Sequence, residues 1–133
     1  MSGLQRIAIK DLEAFVARAY VAVGISAAEA ANIAELQVRA DLIGADGHGV
    51  FRLPQYVRRI KGKAVNLKPN IRVEREAPAM ALVNGDNGMG HLVMRYATEK
   101  AIAKAKTTGV AWVGVQHRDR KSTRLNSSHG YIS

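Results

Sequence analysis

The hydrophobic pattern changes its period near the middle of the chain, and this change constrains the fold class more than any other feature. In residues 11–60, apolar side chains recur every three or four positions, the spacing of helices with one buried face. In residues 70–75, polar and apolar side chains alternate, which is typical of a half-buried strand. Residues 110–115 form an unbroken apolar run that predicts a buried strand. The pattern therefore predicts an α+β or mixed α/β fold.

The predicted elements are helices over 11–23 and 27–43, a third helix that begins near Gly49, strands over 70–75 and 79–83, a helix over 90–107 and a strand over 110–115. Ser26 and Glu29 have the spacing of a capping box, so they predict the start of the second helix. Because few residues separate the first two helices, we expect them to form an antiparallel hairpin. Only two other short strands can flank the buried strand, so we expect an incomplete sheet.

The C-terminal residues differ in character from the rest of the chain. Residues 119–129 read Asp-Arg-Lys-Ser-Thr-Arg-Leu-Asn-Ser-Ser-His and match the translation of a common sequencing-library adapter at every position. Such a segment has no apolar period and little reason to fold. We therefore expect residues 1–117 to be the natural part of one domain, and residues 118–133 to be an artefactual, disordered tail.

The net charge of +9 suggests one alternative function, a small basic module that binds nucleic acid. The first 117 residues carry 16 basic and 10 acidic side chains, and their one dense basic cluster spans residues 58–63. Against this alternative stand the charge contributed by the tail and the absence of a recognition motif. The favoured partner is therefore a small molecule rather than nucleic acid.

Several classes of protein are excluded by composition. The chain contains no cysteine, which excludes disulfides and thiolate metal sites. No apolar run approaches a membrane span, and the N-terminus does not resemble a secretory signal, so we expect a cytoplasmic protein without a membrane partner. Neither His pairs at ligand spacing nor a carboxylate cluster accompany the candidate site, so we predict no metal.

The segment that points most directly to chemistry contains His48, Arg52 and Tyr56, which are four residues apart. If a helix begins at or just before His48, the three side chains share one face. A histidine can exchange a proton near neutral pH, and an arginine offers a planar fork to a carboxylate. Tyr56 adds a hydroxyl donor. The set suits a small 2-hydroxy or 2-oxo acid, although a partly solvated helix face has the same pattern.

Two longer stretches extend this signal into a family resemblance. The first reads Ala-Asp-Leu-Ile-Gly-Ala-Asp-Gly-His-Gly-Val-Phe-Arg-Leu-Pro-Gln-Tyr-Val, and the second reads Ala-Leu-Val-Asn-Gly-Asp-Asn-Gly-Met-Gly-His. Together they resemble the N-terminal portion of the NAD(P)-dependent malate/L-lactate dehydrogenase family. The resemblance covers residues 8–117 and implies an enzyme that transfers a hydride between a nicotinamide and a 2-hydroxy acid, normally as a homodimer. As a truncated form, the chain alone is expected to be inactive.

The resemblance also assigns roles to individual residues. It implies that His48 is the catalytic histidine, that Arg52 binds the substrate carboxylate and that Tyr56 lies in the same site. Gly47 and His48 would contact the cofactor, NAD or NADP, although the family usually has serine where this chain has Gly47. Most cofactor contacts are expected outside this segment. Gly88, Gly90 and His91 resemble half of a dinucleotide-binding fingerprint, for which a simple turn before a helix is the better interpretation.

Overall fold

A computed structural model describes residues 5–118, which divide after Lys63 into two compact units. Its elements are α1 (Ile9–Ala22), α2 (Ala27–Leu42), α3 (Leu53–Lys61), β1 (Arg72–Ala77), β2 (Met80–Gly88), α4 (Gly90–Thr108) and β3 (Trp112–Arg118). The mixed helix-and-strand fold and the element order predicted from the sequence are confirmed. β3 extends one residue into the segment assigned to the tail, and residues 119–133 lie outside the described part of the chain.

The first unit is built on the predicted helical hairpin. One face of α1 buries Val16 and Tyr20 completely, and α2 packs against α1. Burying a side chain such as that of Val16 contributes about 1.5–3 kcal/mol to the free energy of unfolding. Ser26 caps α2 as predicted: its Oγ accepts the N–H of Glu29 at 3.4 Å and donates to the Glu29 carboxylate at 2.7 Å. The side chains of α2 that are buried in this unit are Ala30, Ile33, Ala34, Gln37 and Val38.

The second unit is a three-stranded sheet with one helix. The strand order is β1-β2-β3; β1 pairs antiparallel with β2, and β2 pairs parallel with β3 through the crossover helix α4. A parallel pair requires such a crossover because its strands run in the same direction. The buried cluster between helix and sheet consists of Ala81, Val83, Val93, Ala97 and Val113.

The strand β3 is only half buried, and the prediction that the apolar run at 110–115 is a buried strand is wrong in this respect. Val113 and Val115 pack with the cluster under α4. Because successive side chains of a strand point to opposite faces, Trp112 lies on the other face, where it is 41% exposed beside Met80. Within the described residues, α4 covers one face of the sheet. Apolar side chains on both faces of β3 therefore do not ensure that both faces are buried.

The end of β2 is irregular and lies in a stretch of Asn, Gly and Asp residues. The register with β3 shifts between Asn84 and Gly88, and Asp86 and Asn87 both adopt positive φ angles, of 48° and 56°. Asn and Asp tolerate this left-handed region better than other side chains. The Asp86 carboxylate accepts hydrogen bonds from Asn66 Nδ2 and from the N–H of residue 70, each at 2.9 Å. These bonds fix the strand end from which α4 begins.

Candidate active site

The turn that contains His48 and Arg52 is not the start of a helix. Two short 3₁₀ turns, Asp46–His48 and Val50–Arg52, precede α3, which begins at Leu53. The helix thus begins a few residues after the predicted start near Gly49, and the condition for a shared helix face, a start at or just before His48, is not met. Gly47 and Gly49 weaken a helix, and the backbone closes tighter i→i+3 bonds instead. Those bonds join the N–H of His48 to Ala45 O at 2.8 Å and the N–H of Arg52 to Gly49 O at 3.0 Å.

A side-chain contact, rather than a helix face, brings Arg52 to the His48 turn. Arg52 Nε donates to the carbonyl oxygen of Gly47 at 2.7 Å, so the guanidinium lies against the peptide group that precedes His48. Arg52 Nη1 donates to Gln55 Oε1 at 2.8 Å. A guanidinium carries five N–H donors in one plane. Two of its nitrogens therefore orient Arg52, and further N–H groups at the Nη1–Nη2 edge can bind a carboxylate.

The three predicted site residues differ in exposure. The side chain of His48 is exposed, and those of Arg52 and Tyr56 are partly buried. Tyr56 lies on α3, one helical turn after Arg52, and Pro54 occupies the first turn of that helix as expected. At position 47 a Cβ atom would meet no heavy atom within 4 Å, so the backbone beside His48 is open. The described contacts thus give an exposed imidazole at His48 and a guanidinium at Arg52 that is oriented by two hydrogen bonds.

Two α2 residues that the sequence analysis did not single out hold this turn. Gln37 is fully buried, accepts the hydroxyl hydrogen of Tyr20 at 2.8 Å and donates from Nε2 to Gly49 O at 3.4 Å. Asp41 Oδ2 accepts the N–H of Val50 at 3.0 Å. Gln37 and Asp41 are four residues apart, a spacing that places both on one side of α2. The sequence signal was therefore a glutamine and an aspartate at helical spacing shortly before a glycine-rich turn.

Gly49 is required by close packing against the same helix. A Cβ atom at position 49 would lie 1.6 Å from Asp41 Oδ1, well inside any real contact distance. The φ angle of Gly49 is −85°, which other residues adopt readily, so space rather than backbone conformation excludes a side chain. The carboxylate of Asp41 therefore occupies the volume that a larger residue at position 49 would need.

The half-fingerprint at residues 88–91 is the junction between β2 and α4, as the simpler interpretation predicted. His91 lies in the first turn of α4 and is partly buried. Burial lowers the pKa of His91 from 6.5 to about 4, because the charged imidazolium loses solvation. His91 is thus a neutral side chain near physiological pH.

The lowered pKa of His91 predicts a pH-dependent stability. Between about pH 6.5 and pH 4, the unfolded chain protonates this histidine and the folded chain does not, so the free energy of unfolding falls as the pH falls. The shift corresponds to at most about 3 kcal/mol. Urea unfolding of this chain at pH 7.5 and 4.5 should show a smaller loss of stability in His91→Gln than in the wild type. Equal losses in the two proteins would contradict the prediction.

The sequence predicts neither a membrane span nor a bound metal, and residues 5–118 bear on both predictions. No helix in that range is long and apolar enough to cross a membrane. No group of three or more His, Asp or Glu side chains in the same range could hold a metal ion. The absence of a metal from the protein remains a prediction.

Comparisons with known proteins identify the family and agree with the fold. The malate/L-lactate dehydrogenase family model matches residues 7–122, so the chain belongs to this family. The malate dehydrogenase of Pyrococcus horikoshii is 42% identical over 108 residues, which are 81% of this chain and 30% of that protein. The L-sulfolactate dehydrogenase of Methanocaldococcus jannaschii is 40% identical over 94 residues, 71% of this chain and 27% of that protein. The resemblance seen in the sequence is confirmed.

The structural comparison gives the same relationship. The solved structure of the P. horikoshii malate dehydrogenase superposes with a TM-score of 0.83 and 38% identity, covering 89% of this chain and 34% of that one. The chain thus spans about a third of the length of the curated relatives it matches. The relatives named here are dehydrogenases, and the alternative of a nucleic-acid-binding module is not supported.

Proposed function

We propose that the complete protein to which this segment belongs is a nicotinamide-dependent oxidoreductase of a small 2-hydroxy acid. The observation that carries the proposal is the bond between Arg52 Nε and the carbonyl of Gly47, because it holds a guanidinium against the peptide group that precedes His48. Malate and sulfolactate, which give two relatives their names, are both 2-hydroxy acids with a carboxylate. The substrate class is therefore an acid in which the hydroxyl group is on the carbon that carries the carboxylate group.

In this proposal His48 exchanges the hydroxyl proton. As the C–H bond of the alcohol breaks and the carbonyl forms, the neutral imidazole accepts the proton from the oxygen; in the reverse direction the imidazolium returns it. The exposed position of His48 allows the substrate to reach the imidazole. The nicotinamide, when bound, supplies or accepts the hydride.

Arg52 anchors the substrate carboxylate, and Tyr56 adds a donor from the next turn. Because Nε and Nη1 of Arg52 already have backbone and side-chain partners, the carboxylate approaches the Nη1–Nη2 edge. The fixed guanidinium reduces the entropy lost on binding. Tyr56 is partly buried on α3, and its hydroxyl group can donate to the same acid.

The residues beside His48 fit one end of a nicotinamide cofactor. Position 47 is open where the family usually carries a serine, so the backbone can be approached closely. The exposed imidazole of His48, the next residue, can supply a hydrogen bond to the cofactor. Gly47 and His48 are proposed as the cofactor contacts in this segment, with NAD or NADP as the cofactor. A cytoplasmic location and a homodimer remain predictions for the complete protein.

The test uses a hybrid enzyme, because this chain spans only about a third of its relatives. In the hybrid enzyme, residues 7–118 of this chain replace the matching segment of the P. horikoshii malate dehydrogenase. We expect it to reduce NAD or NADP with malate, sulfolactate or lactate, and not with succinate, which lacks the hydroxyl group. A hybrid enzyme that unfolds cooperatively but oxidises none of these acids would contradict the proposed function.

A further inference from the structure

The peptide group between Gly49 and Val50 joins the two short turns that carry His48 and Arg52. Its orientation decides how those turns are placed relative to each other. Its carbonyl oxygen accepts the N–H of Arg52 at 3.0 Å, so this peptide also fixes the backbone of the arginine. Anything that holds the Gly49–Val50 peptide therefore acts on both proposed site residues.

Two side chains of α2 bind the two ends of this peptide. Gln37 Nε2 donates to its carbonyl at 3.4 Å, and Asp41 Oδ2 accepts its N–H at 3.0 Å. The second bond involves a carboxylate, and bonds to charged groups are stronger than neutral ones. Gln37 and Asp41, both on α2, thus hydrogen-bond to the two ends of the Gly49–Val50 peptide group. We call this pair of hydrogen bonds the peptide clamp.

The peptide clamp is itself held in place by the core of the first unit. Gln37 is fully buried, and its Oε1 accepts the hydroxyl hydrogen of Tyr20, which is also fully buried. That bond fixes which end of the Gln37 amide faces the turn, because the oxygen is directed to Tyr20 and the nitrogen to Gly49. On the other side, the Asp41 carboxylate fills the space that a Cβ at position 49 would occupy.

We propose that Gln37 and Asp41 are positioning residues that set the placement of His48 and Arg52 through the Gly49–Val50 peptide. The inference rests on the proposed function of that turn. Neither residue touches substrate in this proposal; both act through the backbone. Their loss should lower turnover more than it changes cofactor affinity, because a displaced imidazole exchanges its proton less efficiently while the cofactor contacts outside this segment persist.

The first arm of the test measures the contact itself in the full 133-residue chain. In Asp41→Ala, the Val50 amide should exchange its hydrogen at least about tenfold faster than in the wild type, because it loses a bond to a charged acceptor. Exchange at Val16 in the core of α1 should stay unchanged. Asp41→Asn keeps one acceptor oxygen and should show a smaller effect, and Arg39→Ala, an exposed change on the same helix, should show none.

The second arm measures catalysis in the hybrid enzyme. Asp41→Ala and Gln37→Met should each lower kcat about tenfold or more with the cofactor Kd unchanged, and Asp41→Asn should recover part of the loss. Faster Val50 exchange with unchanged kcat and KM would overturn the proposal, and so would unchanged Val50 exchange whatever the activity. An unmodified hybrid enzyme that folds but is inactive would instead contradict the proposed function. In that case, hydrogen exchange at the Val50 amide would still show whether the peptide clamp exists.

Discussion

Replacing His48 with alanine in the hybrid enzyme is expected to lower kcat by about 10² to 10⁴-fold, the usual contribution of a positioned general acid–base. The reason is that His48 is the proposed acceptor of the hydroxyl proton. The affinity for the cofactor should change little, because most cofactor contacts are expected outside this segment. The side chain is exposed, so its loss should also leave the thermal unfolding midpoint nearly unchanged.

Chemical rescue separates lost proton transfer from disturbed structure. Added imidazole should restore part of the turnover of His48→Ala, because the open backbone at position 47 leaves room beside the missing ring. The kcat, the KM for malate and the cofactor Kd are measured with and without imidazole. Turnover within about threefold of the wild type in His48→Ala would remove this residue from the proton-transfer role, because loss of a positioned general acid–base usually lowers the rate at least about 100-fold.

The second large effect is expected for Arg52→Lys. The substitution keeps the positive charge but loses the planar fork, so both the carboxylate contact and the bond to the Gly47 carbonyl are weakened. Losing hydrogen bonds of this charged type costs about 1.5–3 kcal/mol. We expect kcat/KM for malate to fall about 10- to 150-fold, with a higher KM as the larger component.

A neutral substrate and a neighbouring arginine provide the controls for Arg52. Wild-type hybrid enzyme should prefer lactate to lactamide, which lacks the carboxylate, and Arg52→Lys should narrow that preference. Arg58→Lys changes an exposed arginine on α3 and should leave turnover of both substrates unaffected. An unchanged ratio of lactate to lactamide in Arg52→Lys would show that another group binds the carboxylate.

The helices and their ends could be predicted because their signals are local. The structure places α2 at Ala27–Leu42, within one residue of the prediction at its C-terminal end, and Ser26 caps it as the capping-box pattern indicates. Gly109 follows the predicted helix over 90–107; it caps α4 with a φ angle of 80°, a conformation that glycine adopts without steric cost. Such features depend on residues a few positions apart, which the printed sequence shows directly.

The geometry around His48 could not be predicted in the same way. Spacing alone placed His48, Arg52 and Tyr56 on one helix face, whereas the helix begins only at Leu53. Residues 46–52 are held by Gln37 and Asp41 from another helix and by Arg52 folding back on Gly47. A glutamine and an aspartate on a helix have no periodic signal that identifies the backbone groups they bind.

The sequence by itself determined the order of the elements, the family and the residues on which the proposed chemistry depends, because hydrophobic period and short motifs reflect the repeat of the local backbone. Only the tertiary structure decided which strand face is covered, so Trp112 is half exposed although its neighbours are apolar. It also decided how Arg52 reaches the His48 turn. Hydrogen-bond partners and buried faces depend on the packing of elements that are distant along the chain, and periodicity carries no information about that packing.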